Sequence, residues 1–263
     1  MIDLIVLLSD KECNLEKILF SIMMQTISDK LNVLIINSCS YDKLDNVVNK
    51  FSKKISINVV DICNDNSSID IIHKTINNTK SDYLMFLKSN FLFFDCFAVE
   101  RLYKKIVDSF YDIVSGNIVE YLGADNFKEI FSLRESVFCK IFSKKFVLNN
   151  MVKFNDSKLN EDFSFFDQCK VLSARIYFIE DKICLCNKLE FVDRISFIES
   201  YVKNVFWVVE NTREKVEKFK ISIYLYDKLT FLYRQYYDYI IDIGIDKMSF
   251  YIKRLELLYN NYN

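Results

Sequence analysis

Asp82-Tyr83-Leu84-Met85-Phe86-Leu87-Lys88-Ser89-Asn90 is the stretch that decides the fold. Tyr83–Leu87 is an unbroken run of large apolar side chains, bounded by Asp82 on one side and by the polar trio Lys88, Ser89 and Asn90 on the other. A strand with no alternation is buried on both faces, as in a parallel sheet covered by helices. Ligands in such sheets bind beyond the carboxyl ends of the strands, so Lys88, Ser89 and Asn90 stand where chemistry is expected.

The pattern repeats upstream. Ile2–Leu8, Asn32–Ile36 and Ile55–Ile62 read as strands, and Asp112–Val119 as a fifth strand beyond Tyr83–Leu87. Between them Asn14–Gln25, Tyr41–Phe51, Ile69–Asn77 and Phe97–Phe110 have helical spacing; the first places Leu15, Ile18, Leu19, Ile22 and Met23 on one stripe. Strands alternating with helices of this length indicate βαβ units, hence an α/β fold with a mostly parallel sheet flanked by helices. Three tips are expected to matter: those after Leu8, Ile36 and Leu87. Residues 120–160 show no clear period. Glu161–Leu172 reads as a helix and Arg175–Ile179 as a strand. From about residue 194 the chain turns helical, over Ser196–Phe219, Ser222–Ile241 and Asp246–Tyr259. The expected division is a domain over 1–190 and a C-terminal helical, aromatic-rich extension over 191–263.

Half of the 263 residues are apolar and 16% aromatic, enough for a sizeable core. A net charge of −1 gives no global attraction to nucleic acid. Proline is absent and glycine occurs three times, while Ile, Lys, Asn, Phe and Tyr abound, as AT-rich coding produces. The eight cysteines form no Cys-x-x-Cys pair and His73 is the single histidine, a composition that does not point to zinc. Most of the cysteines lie in apolar stretches, where Cys behaves as a small hydrophobe. With no secretory pattern and no run of roughly 18 apolar residues, the expectation is a reduced, cytoplasmic setting.

Four segments in order resemble the family 2 glycosyltransferases of the GT-A fold. They are Ile2–Leu8 followed by Ser21…Gln25-Thr26, then Leu34–Asp42, Asp82–Asn90 with Asp112–Gly116, and Phe154 with Asn160-Glu161-Asp162. The resemblance covers about residues 1–190. It implies a nucleotide-diphosphate sugar as donor and a glycan, lipid-linked or protein hydroxyl as acceptor. It also implies an inverting transfer in which Asp162, with Glu161 beside it, takes the acceptor proton. A carboxylate within hydrogen-bond reach is suited to that step. The bland alternative is that both acids serve the dipole of a helix's first turn.

The departures from the family pattern fall at the donor side. Its Asp-x-Asp metal clamp matches Lys88-Ser89-Asn90, and Lys offers no acceptor to Mg²⁺ or Mn²⁺. Lys88 is then either a fixed charge for the leaving diphosphate or a solvated strand-end residue. The nucleoside-binding acids match Asn37 and Ser38, and the next glycine matches Cys39. Ser40 and Asp42 either contact the donor or cap the next helix. Asp10 sits at the first tip. His73 and Lys74 fall where the family carries an Arg-Asn pair, and either replace it or are ordinary helix residues. The expectation is a metal-independent transferase; the alternative is an inactive pseudo-glycosyltransferase serving as a binding or partner subunit.

The tail's aromatic residues include Phe206, Trp207, Tyr224, Tyr226, Phe231, Tyr233, Tyr236, Tyr237, Tyr239 and Tyr251. Three readings stand: a helical core, a homo- or hetero-oligomer surface, or peripheral attachment at the inner face of a membrane.

Overall fold

The structure, a computed structural model, describes residues 1–8, 14–38, 44–61, 68–123, 126–130, 134–155, 161–186 and 194–263. The chain forms two compact units, Met1–Met151 with Ala174–Leu189, and Val152–Ser173 with Glu190–Asn263.

The first unit is built on a nine-stranded sheet. Its elements in chain order are β1 (Ile2–Leu8), α1 (Leu15–Met23), β2 (Leu31–Asn37), α2 (Leu44–Phe51), β3 (Ser56–Asp61), α3 (Ser68–Asn78), β4 (Tyr83–Lys88), β5 (Phe91–Phe93), α4 (Ala98–Val107), β6 (Ile113–Gly123), β7 (Asn126–Glu129), β8 (Lys140–Ser143), α5 (Lys144–Asn149) and, after the second unit's first segment, β9 (Ile176–Cys186). The strand order is β3-β2-β1-β4-β8-β6-β9-β5, with β7 paired to β6. β3, β2, β1 and β4 are parallel neighbours; the apolar runs of β1, β2 and β4 suit strands buried on both faces, while the more polar β3 forms the edge. β8 enters antiparallel to both β4 and β6, so the sheet is mixed beyond β4. Ile2, Leu4, Ile5, Leu84 and Phe86 are fully buried between the helical layers. α1 is capped by Asn14, whose side chain accepts from Lys17 N at 3.1 Å. It buries Leu15, Ile18, Leu19 and Ile22, the stripe its spacing predicts.

Three features differ from the sequence expectation. The irregular 120–160 region contains β7, β8 and α5. β8 is only four residues long and carries Lys140, so no alternation reveals it. The helix expected over Ser196–Phe219 ends at Thr212 and a new one starts at Lys218. There the Asn211 amide and the Thr212 hydroxyl donate to the Trp207 and Val208 carbonyls, engaging oxygens at the end of the helix. Cys139 and Cys184 are not simple hydrophobes. Their Cα atoms lie 6.0 Å apart and their sulfurs form a disulfide, tying the turn before β8 to β9.

The second unit consists of α6 (Glu161–Val171), α7 (Arg194–Thr212), α8 (Lys218–Ile243) and α9 (Ile245–Tyr262). Residues 152–173 thus group with the tail helices, and the chain passes from the first unit to the second again after Leu189. Val171 of α6, Val205 and Val208 of α7, Leu225 and Leu232 of α8, and Leu255 of α9 share one core. Tyr224 and Tyr251 lie in it, with Phe206, Trp207 and Phe231 packed against it, while Tyr226 and Tyr233 are exposed. The side chains of Tyr236, Tyr237 and Tyr239 lie outside the described residues. No helix is long and apolar enough to cross a membrane among the described residues.

Candidate active site

The parallel registers bring three expected residues to one end of the sheet. Lys88 pairs with Leu7, and Asn37 pairs with Leu8 on the other side of β1. Two strand spacings separate them, roughly 10 Å. Ser38 follows Asn37, and both its amide and its hydroxyl donate to the Leu8 carbonyl, at 3.0 and 2.6 Å. That hydroxyl locks the β2 tip to the β1 tip. Asn37 is buried at 8% exposure, Ser89 is buried too, and Lys88 and Asn90 are half-buried. The end of β4 therefore presents an ammonium flanked by neutral hydroxyl and amide groups.

The segment after Lys88 is held from two sides. β5 pairs antiparallel with the end of β9, Phe91 opposite Cys186 and Phe93 opposite Cys184. Asn90 Nδ2 approaches Cys186 Sγ at 3.7 Å. From α1, Ser21 Oγ accepts from Phe93 N at 3.4 Å. Gln25 Nε2 donates to the Asp95 carbonyl at 2.8 Å, and its Oε1 accepts from Val99 N at 3.0 Å. Thr26 N donates to the Cys96 carbonyl at 2.9 Å. The Ser21…Gln25-Thr26 pattern is thus a brace that fixes the chain downstream of β4.

Other candidates lie elsewhere. His73 is half-buried on α3. Lys74, the next residue, lines a cavity with Asp3, Leu31 and Ser81, at the amino ends of β1, β2 and β4 and opposite Lys88. The structure therefore does not bring Lys74 together with Lys88 and Asn37. Glu161 and Asp162 form the first turn of α6 in the second unit. Asp10, Cys39, Ser40 and Asp42 lie outside the described residues.

A family model described as glycosyl transferase family 2 matches residues 4–173. The chain belongs to this family. Among curated family relatives, glycosyltransferase GlyA of Streptococcus pneumoniae is 23% identical over 214 residues; these are 74% of this chain but only 30% of the relative, so the chain spans under a third of that protein. The S. aureus TarS 1–349 structure in complex with UDP-GlcNAc superposes with a TM-score of 0.72 at 15% identity, covering 94% of this chain and 77% of that one. The mannosyltransferase PcManGT of Pyrobaculum calidifontis, in complex with GDP-Man and Mn²⁺, does so with 0.60 at 12% identity, covering 98% and 86%. At these identities the likeness establishes the GT-A-like fold.

Where family 2 members carry metal-binding acids, this chain offers Lys88, Ser89 and Asn90. An ammonium, a hydroxyl and one neutral amide do not fit a divalent cation, which demands carboxylate-rich oxygen donors. Among the described residues no group of three His, Cys, Asp or Glu converges either. Sequence reasoning missed Lys140, which is 1% exposed and directs Nζ to the Phe138 carbonyl at 3.4 Å. Its position one residue into an unrecognised strand left no signal.

Proposed function

We propose that this chain transfers a sugar from a nucleotide-diphosphate sugar to an acceptor hydroxyl, with inversion and without a metal. The observation that carries this reading is the cation of Lys88 at the carboxyl end of β4, one strand from Leu8 and two from Asn37. Asn37 supplies amide donors and an acceptor for the nucleoside. In the reaction the acceptor oxygen forms a bond to the anomeric carbon as the carbon–oxygen bond to the diphosphate breaks. The bonding pair leaves with the diphosphate, and the Lys88 ammonium offsets its growing negative charge. The acceptor proton passes to the carboxylate of Asp162, the role that the family's motif order gives this position. Glu161 stands beside it. The acceptor is a glycan, lipid-linked or protein hydroxyl.

A second reading, an inactive partner subunit of the same fold, is favoured by one contact. The Ser38 hydroxyl already donates to the Leu8 carbonyl at 2.6 Å, which leaves it only as an acceptor for a ligand.

Thermal unfolding with UDP-GlcNAc and GDP-Man, each with and without Mn²⁺, separates the two. A bound donor at 100 times Kd adds about 2.7 kcal/mol to the folded state. The transferase reading expects a metal-independent rise that Lys88→Met diminishes. It also expects Asp162→Asn to keep that rise and lose transfer to the acceptor. No stabilisation by either donor favours the partner subunit, and full transfer by Asp162→Asn removes the base assignment.

A further inference from the structure

The cavity opposite Lys88 has no part in the reaction described above. Its volume is about 920 Å³, within the roughly 300–1,000 Å³ typical of small-molecule pockets. Leu34 of β2, Ile55 before β3 and Ile71 of α3 give it an apolar floor; each is less than 9% exposed. Lys54, Lys74 and Lys80 come from three separate segments to its exposed rim. None of the three makes an ion pair with a described residue.

Two carboxylates share the lining and bear on the sign of the ligand. Asp3 is fully buried, and its oxygens accept from Asn32 Nδ2 at 2.8 Å and from Ser81 N at 3.3 Å. Its charge is therefore already engaged by two donors. Asp29 is exposed on the rim. With both carboxylates counted, the three lysines still leave the mouth positive. An apolar floor beneath a cationic mouth selects a molecule with an apolar body and an anionic head. Lysine ammoniums suit a phosphate, whose oxygens they reach as mobile point charges.

We infer that this cavity binds a single-chain alkyl phosphate, its chain on Leu34, Ile55 and Ile71 and its head among Lys54, Lys74 and Lys80. The site lies at the amino ends of the strands, so it is separate from the donor residues at their carboxyl ends.

The test is calorimetric titration of the full chain with decyl phosphate, kept below its micelle-forming concentration. Saturable binding is expected, with decanol and inorganic phosphate each at least about 10-fold weaker, since the chain and the head contribute separately. The triple substitution Lys54→Glu/Lys74→Glu/Lys80→Glu, confined to exposed side chains, is expected to weaken binding by at least about 10-fold with an unchanged thermal midpoint. Thr75→Phe, which fills the cavity from α3, is expected to remove it. The inference is overturned by an absence of saturable binding up to roughly 1 mM, by decanol binding as tightly as decyl phosphate, or by both variants binding as the parent does. Association with phosphatidic acid vesicles alone, without binding of monomeric decyl phosphate, overturns it too.

Discussion

Asp167 is a buried charged group of the second unit, held by partners on two helices. It sits on α6 at 5% exposure, and Lys228 of α8 places Nζ 2.7 Å from one of its oxygens. Tyr224 donates to the same carboxylate at 3.2 Å, and Lys170 lies 3.7 Å away. Both partners of the main pair are buried, so removing Lys228 leaves Asp167 in a poor solvent for charge with only the Tyr224 hydroxyl and the more distant Lys170 to offset it. Lys228→Met is therefore expected to cost about 3–5 kcal/mol, whereas Asp167→Leu/Lys228→Met together cost much less. Urea midpoints measured at unchanged slope decide this. Equal losses in the single and double variants would show that packing, not charge, holds α6 to α8. The same helix starts with Glu161 and Asp162, and the proposed function assigns the acceptor proton to Asp162.

Among the elements, β6 and β9 depend on one glycine. Their parallel pairing is irregular on both sides of Asn117, and a Cβ on Gly116 would meet Ile183 Cγ1 at 2.4 Å and the Asp181 carbonyl at 3.1 Å. Gly116→Ala is expected to destabilise by about 1–3 kcal/mol, because the strands must part to admit it; an unchanged thermal midpoint would contradict that. At the start of the same strand pair, Arg175 binds Asp112 through two side-chain hydrogen bonds of 2.9 and 3.0 Å. Burial acts to raise the Asp112 carboxyl, but the Arg175 hydrogen bonds and charge outweigh it and hold the carboxyl below its ordinary 3.8. The folded value is the lower one, so the pair's contribution is complete above the ordinary value and fades as pH falls through the folded value. Arg175→Ala is expected to lower the unfolding midpoint at pH 7 and to converge with the parent only as pH falls through the lower folded value. A gap that persists in acid would assign the effect to packing. These elements also show what could be read from sequence. β1, β2 and β4 were legible because doubly buried strands carry unbroken apolar runs, and that placed Asn37 and Lys88 correctly at strand ends. β8 was not, because four residues with a central-sheet lysine have no period. Lys74 is named from its match to the family's Arg-Asn pair, and a match along the chain does not say which end of the sheet a helix residue overlooks; here Lys74 lines the cavity at the amino ends of the strands.

At the scale of the whole molecule, the chain leaves the first unit at Met151, returns at Ala174 and leaves again at Leu189. Residues 152–173 therefore depend on partners that come later in the sequence. Val171 of α6 shares its core with Ile198, Val202 and Val205 of α7 and with Leu225 and Leu229 of α8. Asn155 Nδ2 donates to Asn204 Oδ1 at 2.5 Å, adding a polar tie from before α6 to α7. The C-terminal helices share one core with α6, the helix that begins with Glu161 and Asp162. A chain ending at residue 190 is expected to keep the nine-strand sheet but to lose protection along α6, because an isolated 11-residue helix is marginal in water. Amide hydrogen exchange, followed peptide by peptide, is the measurement. Fast exchange across 161–171 with retained protection in 2–8 and 83–88 is the expected result. Slow exchange across α6 in the shortened chain would mean that the helix draws its stability from elsewhere, and the tail would lose its assigned role.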